Sequence, residues 1–412
     1  MALIPAVVFG LLTFWLHRRL VRATALPRPW SVVVDAALVV LWALALVGFA
    51  TGRWFDPGWA RPLAFAGFVW LAAFFYLFLG LAAVGLVSFG ASTVRRLRRR
   101  SRTEGPEADG EPPDSETPDA ETPDTETPDS ETPDSSAAAR LRRLRIATAA
   151  VVVVALGTTA YGIVEASRPQ VTEVGAELPG LPEQFDGLRI AVVSDLHVGP
   201  TRGASFTRRV VDRVNARRPD LILLVGDLTD GRIPLVRDTL EPIADLSAPL
   251  GVFGVSGNHE YYSDDGGRWL DVWEELGVRT LRNDRVPLTV DGATIQLAGV
   301  HDATAPEPYE PDLPAALEGS GPDDFVLLLA HQPKQVVEAS ELGVGLQFSG
   351  HTHGGQLWPI RYLVPLQQPS VTGLERFRDT TLYTTRGAGA WGPPVRVLAP
   401  PEITMFTLQA SP

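Results

Sequence analysis

Five of the seven histidines in this 412-residue chain sit in short polar clusters, with two aspartates and an asparagine among them. The clusters are Asp195-Leu196-His197, Gly226-Asp227, Gly257-Asn258-His259, Ala330-His331 and Gly350-His351-Thr352-His353; only His17 and His301 lie elsewhere. A single histidine at a strand end is usually structural. Five together with carboxylates and an amide form a donor set for metal ions. The chain has no cysteine, which excludes thiolate ligands, a cysteine nucleophile and disulfides. Imidazole, carboxylate and amide donors suit borderline to hard divalent ions such as Mn²⁺, Fe²⁺ or Zn²⁺. Two such ions about 3.5–4 Å apart need an anionic bridge, and a carboxylate ending a central strand, Asp227, can supply it. Two divalent cations against two ligand carboxylates leave a centre of roughly +2, which attracts phosphate and lowers the pKa of bound water.

Apolar runs must position these clusters, and each run ends in one of them. Leu188–Asp195, Leu221–Asp227, Gly251–His259, Asp324–His331 and Val344–His351 read as buried strands. Two more, Val286–Val290 and Ala293–Val300, are joined by an Asp291-Gly292 turn. Between them, Phe206, Val210, Val211 and Val214 share one helical face, and Trp269, Val272, Trp273 and Leu276 share another. Strands alternating with helices predict an α/β domain, with ligands beyond the carboxyl ends of the strands. Strands near Thr380–Thr384 and Glu402–Gln409 predict that sheets also pack on each other.

The motifs DLH, GD, GNHE, the isolated His331 and GHTH, in this order and spacing, resemble the calcineurin-like metallophosphoesterase superfamily. The resemblance runs from about Gly187 to Leu408. With Gly354-Gly355-Gln356 and the closing RGAG…PPEIT segment, it is nearest to the bacterial membrane-associated branch. It implies a four-layer α/β/β/α sandwich and two divalent ions per chain, Mn²⁺ foremost, with Fe or Zn as alternatives. It also implies roles: Asp195, His197 and His353 on the first metal, Asp227 bridging, and Asn258, His331 and His351 on the second. His259 would be the catalytic residue, contacting phosphate and protonating the leaving oxygen or stabilising charge there. The nucleophile would be a metal-bridging hydroxide attacking in line. Glu260 stands where aspartate is more usual and is expected to orient His259 or a ligand. Tyr261, Tyr262 and Trp358 are candidates for bordering the substrate, and Gly226, Gly257 and Gly350 for allowing tight turns.

The N-terminal half is of another kind. Apolar runs cover Met1–Leu16, Ser31–Ala50, Pro62–Thr93 and Ile146–Val164, and a span needs about 20 such residues, so the first is short. The expected organisation is three transmembrane helices over 1–100, a disordered linker over 101–139, a fourth helix over 140–166 and a catalytic domain over 167–412. The linker holds the tandem repeat ETPDA, ETPDT, ETPDS, ETPDS. Thirteen acidic residues and no basic one lie between Glu104 and Asp134, so the net charge of −12 belongs to the linker. The folded parts are close to neutral, and no nucleic-acid partner is expected. Dense arginine clusters follow the first and third runs and precede the fourth, whereas the Thr51–Arg61 loop has only Arg53 and Arg61. Positive-inside weighting then puts the N-terminus and the catalytic domain outside a cell membrane, with the linker cytoplasmic.

These readings converge on a multi-pass, membrane-anchored phosphoesterase. Its partners would be the bilayer and a phosphorylated small-molecule or lipid substrate, and it would cleave a phosphodiester or pyrophosphate bond. A phosphomonoesterase and a non-catalytic receptor for phosphorylated ligands are the alternatives. Transport by the helices is disfavoured because Asp35 is the main ionisable residue within a span.

Overall fold

The computed structural model describes residues 3–103, 133–321 and 323–411. The ETPD repeat as far as residue 132 lies outside the described residues. The chain divides into two units, Met1–Val39 with Phe74–Leu156, and Val40–Ala73 with Gly157–Pro412.

Unbroken runs of alanine, leucine, valine and phenylalanine make the N-terminal half helical: α1 (Leu3–His17), α2 (Arg28–Ala50), α3 (Pro57–Thr103) and α4 (Pro133–Ala166). Among the described residues three helices are long and apolar enough to cross a membrane, Arg28–Ala50, Pro57–Val94 and Ala137–Ala166. The first expected span, in α1, is not among these three. The 15 residues of α1 rise only about 22 Å, against roughly 30 Å of hydrocarbon, before the arginine-rich segment Arg18–Arg22. Val32, Leu86, Phe89 and Val153 leave their side chains largely exposed, as a lipid-facing surface would. Within the first unit, α3 and α4 approach closely at Gly80, where a Cβ would fall 2.6 Å from Val151. Asp35 is not an unpartnered charge, since its Oδ1 lies 2.7 Å from His17 Nδ1.

The second unit begins with the hairpin of α2 and α3. A Cβ on Gly67 would meet the Leu44 carbonyl at 2.1 Å, so the two backbones touch there, and Trp42 meets Trp70 edge to face at 6.0 Å. The rest is strands and short helices: β1 (Gln170–Pro179), β2 (Arg189–Val193), α5 (Ala204–Asn215), β3 (Leu221–Val225), α6 (Ile233–Val236), β4 (Val252–Val255), α7 (Asn258–Ser263), α8 (Gly266–Glu275), β5 (Arg279–Thr280), β6 (Asp284–Val290), β7 (Ala293–Gly299), α9 (Leu313–Ala316), β8 (Val326–Leu329), α10 (Val336–Glu341), β9 (Leu346–Ser349), β10 (Gly373–Phe377), β11 (Thr380–Thr384) and β12 (Glu402–Ser411). They form two six-stranded sheets, ordered β1-β12-β2-β3-β4-β5 and β10-β11-β9-β8-β7-β6. The central strands β2–β5 and β7–β9 are parallel.

Side-chain alternation along each strand builds the layers. Ile190, Val192, Leu221 and Leu223 point into a core shared with Leu327, Leu329, Leu346 and Phe348 of the other sheet. Ala191, Val193, Ile222 and Leu224 point the opposite way, onto α5 and α8 through Phe206, Val210, Trp269 and Trp273. Ala298, Val326 and Leu328 cover α9 and α10 in the same manner. The order is therefore helices, sheet, sheet, helices, as the sequence predicts.

At the centre, Phe348 contacts Phe406 edge to face at 5.0 Å, and Tyr383 lies 5.4 Å from Phe406. Phe348→Ala should destabilise the chain by about 3–5 kcal/mol, read as a shift in denaturant midpoint of the detergent-solubilised protein. A loss of under about 1 kcal/mol would contradict an inter-sheet position.

Candidate metal centre

Five parallel strands deliver the polar clusters just past their carboxyl ends. Asp195 follows β2, Asp227 follows β3, Asn258 follows β4, His331 follows β8 and His351 follows β9. Backbone bonds tie the turns together. Asp195 N–H donates to Gly226 O at 3.0 Å, His197 N–H to Asp227 O at 3.2 Å and Gly350 N–H to His331 O at 2.9 Å. Across the sheets, His351 N–H donates to the Asp195 carboxylate at 3.2 Å.

The backbone is strained where the donors sit. Asp195, His197, Asp227, His351 and His353 all have positive φ, between 47° and 70°. Each such residue costs on the order of 1–3 kcal/mol and persists only where its surroundings over-determine it. Gly226, at φ +81°, is the one glycine of the three that needs left-handed backbone. Gly257 and Gly350 serve close approach instead, since a Cβ would fall 2.2 Å from Asp227 Oδ1 in one case and from Ser194 Oγ in the other.

Two donor groups result. In the first, His197 Nε2 lies 3.0 Å from His353 Nε2 and 3.7 Å from Asp195 Oδ1, and His353 Nε2 lies 3.3 Å from that oxygen. In the second, Asp227 Oδ2 lies 3.2 Å from His331 Nε2, and Asn258 Oδ1 lies 2.8 Å from His351 Nδ1. Asp227 Oδ2 is also 3.6 Å from His197 Nε2, so it faces both groups. Donors about 2.0–2.2 Å from a common divalent ion are separated from one another by roughly 3.0–3.5 Å; three of the spacings fall in that range and the others lie within 0.2 Å of it.

His331 gives an independent test. Its Nδ1 is 2.7 Å from the Val225 carbonyl and must donate there. The neutral ring then turns a bare Nε2 toward a carboxylate, and this buried atom has no hydrogen-bond partner. Positive charge between the two acceptors removes the conflict: a divalent ion, or a second ring proton, which burial opposes and Asp227 favours. The donor set fits a divalent metal site.

Sequence reading missed Asp230, which accepts from His197 Nδ1 at 3.1 Å and His259 Nδ1 at 2.5 Å with one oxygen. Burial opposes charge on His197, but Asp230, Asp195 and Asp227 outweigh it and lift its pKa to about 10. Burial likewise opposes charge on His259, and Asp230 with Asp227 raises it nonetheless. His353 is held well below the usual imidazole value by burial, with Arg396 adding to the effect. The signal for Asp230 was its place three residues after Asp227.

Glu260 orients a candidate ligand through the backbone. Its buried carboxylate accepts N–H bonds from Gly257 at 2.8 Å, Leu228 at 2.9 Å, Asp227 at 3.0 Å and Thr229 at 3.3 Å. Burial, then Asp227, pushes its pKa up to about 7, although the backbone donors from Gly257 and Asp227 pull the other way. Tyr261 turns away from the donors, with its hydroxyl 2.9 Å from both Ser256 Oγ and His301 Nδ1. Tyr262 instead covers His259 at 4.9 Å, and Trp391 flanks the same ring at 5.8 Å. A cavity of about 380 Å³ opens beside them, lined by Asp227, Asn258, His259, Tyr262, His351 and Trp391 among others, without Trp358. Arg396, fully buried and also missed, donates to His353 O at 2.7 Å and Gly389 O at 2.9 Å, fixing the turn that carries His353.

An α/β/β/α sandwich with a carboxylate and histidine centre at its strand ends defines a metal-dependent class of protein, and sequence comparison places the chain within it. The calcineurin-like phosphoesterase family model matches residues 188–355. The chain is 36% identical over 260 residues to a "Transmembrane protein with metallophosphoesterase domain" from Danio rerio, covering 60% of each. It is 36% identical over 288 residues to the Bos taurus protein of that name, covering 66% of this chain and 65% of that one. A Bacillus subtilis (strain 168) protein named as an uncharacterized metallophosphoesterase is 31% identical over 273 residues, 61% of this chain and 90% of its own length. The match thus spans less than two thirds of the two vertebrate relatives. The chain belongs to the calcineurin-like metallophosphoesterase family.

Removing the Glu260 carboxylate would leave buried N–H donors around Asp227 unmatched. Glu260→Ala should cost about 1–3 kcal/mol and lower bound metal per chain by elemental analysis. Unchanged stability and metal content would show that this carboxylate does not hold the turn.

Proposed function

We propose that the chain hydrolyses phosphodiester or pyrophosphate bonds of a membrane- or envelope-associated substrate, using two divalent ions, Mn²⁺ foremost. The supporting observation is Asp227 Oδ2, which lies 3.6 Å from a donor of one group and 3.2 Å from a donor of the other. Asp195, His197 and His353 would hold one ion, Asn258, His331 and His351 the other, with Asp227 shared. When bound, the ions supply Lewis-acid polarisation of a phosphoryl oxygen and an activated water.

The protein's own part is positioning and proton transfer. Asp230 accepts from His197 Nδ1 and so fixes that ring with Nε2 toward the first group. The same oxygen accepts from His259 Nδ1 and favours its protonated form. His259 Nε2 has no protein partner among the described residues, and its ring lines the cavity. It is placed to donate a proton to the leaving oxygen. Tyr262 and Trp391 restrict the approach to that ring.

The site's membrane setting is part of this reading. Gly52 O, in the loop between α2 and α3, accepts the Arg232 N–H at 2.8 Å. Together with the arginine distribution, that bond supports a loop and site sharing the extracytoplasmic side.

The test is hydrolysis of bis-p-nitrophenyl phosphate against p-nitrophenyl phosphate by the full chain in detergent with Mn²⁺. Diester turnover should vanish on chelation and return with metal. It should be undetectable in Asp227→Ala, fall about 10²–10⁴-fold in His259→Ala and about 10–100-fold in Asp230→Asn. Faster monoester turnover would make the chain a monoesterase. No turnover of either ester by protein that binds two metals would sink the enzyme reading.

A further inference from the structure

Beside the larger cavity lies a separate narrow cleft of about 60 Å³ that shares His259 and Trp391 with it. One side of this cleft is Asp230, His259 and Trp391. The other comes from the membrane hairpin: Gly48 and Phe49 of α2, Phe68 of α3, and Arg53 of the loop between them. These residues all belong to the second unit.

The hairpin is fastened to the turns that carry the site. Besides the Gly52–Arg232 bond, Arg53 Nε donates to Ser263 Oγ at 3.0 Å and Arg61 Nε to Gly199 O at 3.3 Å. The approach is backbone on backbone, since a Cβ on Gly52 would fall 2.9 Å from Asp230 O and one on Gly231 2.8 Å from Gly52 O.

The cleft joins two kinds of chemistry. Arg53 is exposed and has no carboxylate partner among the described residues, so its guanidinium is available to an anion near His259. Beyond it, Gly48 lets the Phe68 ring pack against the α2 backbone, where a Cβ would sit at 3.2 Å, and Phe49 meets Phe68 at 5.2 Å, so the cleft's inner wall is apolar. Both helices are long and apolar enough to cross a membrane. A cationic end and an apolar end in one cleft match an anionic amphiphile.

Building on the metal-dependent phosphoesterase reading, we propose that the α2–α3 hairpin is a wall of the active site and selects phosphate esters carrying a long alkyl chain. The phosphate lies by His259 and Arg53, and the chain runs past Trp391 along Gly48, Phe49 and Phe68 toward the bilayer. The reaction consumes one water, breaks one phosphorus–oxygen bond, leaves the hydroxyl on phosphorus and gives the departing oxygen a proton. Each buried methylene is worth about fourfold in kcat/KM, so roughly four of them give a preference above about 100-fold.

The experiment compares ethyl and hexadecyl p-nitrophenyl phosphate with the full chain in Mn²⁺ and detergent. The hexadecyl ester should lead in kcat/KM by at least about 100-fold. Gly48→Leu and Phe49→Ala should each cut that ratio about tenfold or more, and Arg53→Gln should raise KM for both esters. Leu86→Ala, at an exposed position on α3, should leave the ratio unchanged, which controls for partition into micelles. Because Gly48→Leu can disturb helix packing, wild-type protein is also labelled with a hexadecyl phosphate bearing a terminal diazirine. The label should map to residues 48–68 and be displaced by hexadecyl phosphate. Ethyl ester turnover without chain-length preference, a ratio unmoved by both hairpin variants, or labelling confined to residues 357–364 would overturn the proposal while leaving the enzyme reading intact. No turnover of either ester would remove both.

Discussion

Asp195 and Asp227 are buried among four imidazoles, His197, His331, His351 and His353, at the ends of two stacked sheets. Two carboxylates that close cannot remain in a dry interior unless positive charge lies between them. Protons on the imidazoles supply some of that charge, and burial opposes them. Divalent ions supply more of it at donor spacings of the size observed here. The five left-handed residues, the glycines and the cross-sheet bond from His351 hold donors at positions that repel one another in the absence of a cation. The sandwich is the frame stiff enough to do so, because its parallel strands are buried on both faces.

A second layer of interactions limits where those donors can move. Glu260 gathers the N–H groups of the Asp227 turn, Asp230 locks two imidazoles through their Nδ1 atoms, and Arg396 gathers carbonyls around the His353 turn. Opposite charges are used for opposite ends of the peptide group. An anion collects N–H donors on one side of the centre, and a cation collects C=O acceptors on the other. Each of these charges is buried, and each is tolerable because its hydrogen-bonding capacity is largely used.

The seven candidate ligands were legible in sequence because each sits within about five residues of the end of a buried apolar run, so local order alone marks them. The buried strands β2, β3, β8 and β9 were legible for the same reason. β1 gives little signal, since only Ala176 and Leu178 of its ten residues are buried. β5 has two residues, and β10 has no fully buried one. Asp230 was missed because its partners lie 33 and 29 residues away, and its place three residues after Asp227 is a weak signal for a carboxylate in a turn. Arg396 misleads in another way, because a charged residue in a proline-rich segment suggests surface, yet it is fully buried. Tyr261 and Trp358 show the converse error, in which closeness in sequence to a motif did not bring the side chain to the cavity.

The docking of the α2–α3 hairpin on the turns that carry the donor groups leaves no periodic trace in sequence, only two glycines and two arginines in a short loop. Its consequence is mechanical. Gly199, at φ +141°, would place a Cβ 2.4 Å from Asp230 O, and Gly52 reaches the same carbonyl from the other direction. The peptide after Asp230 is therefore packed between the turn that follows His197 and the loop that joins two membrane helices. Any tilt of that hairpin would press on the backbone whose side chain orients both His197 and His259. Helices that only tethered the domain would need no such contact, and a flexible linker would serve as well. Backbone packing at this point ties the arrangement of the helices to the setting of the imidazoles.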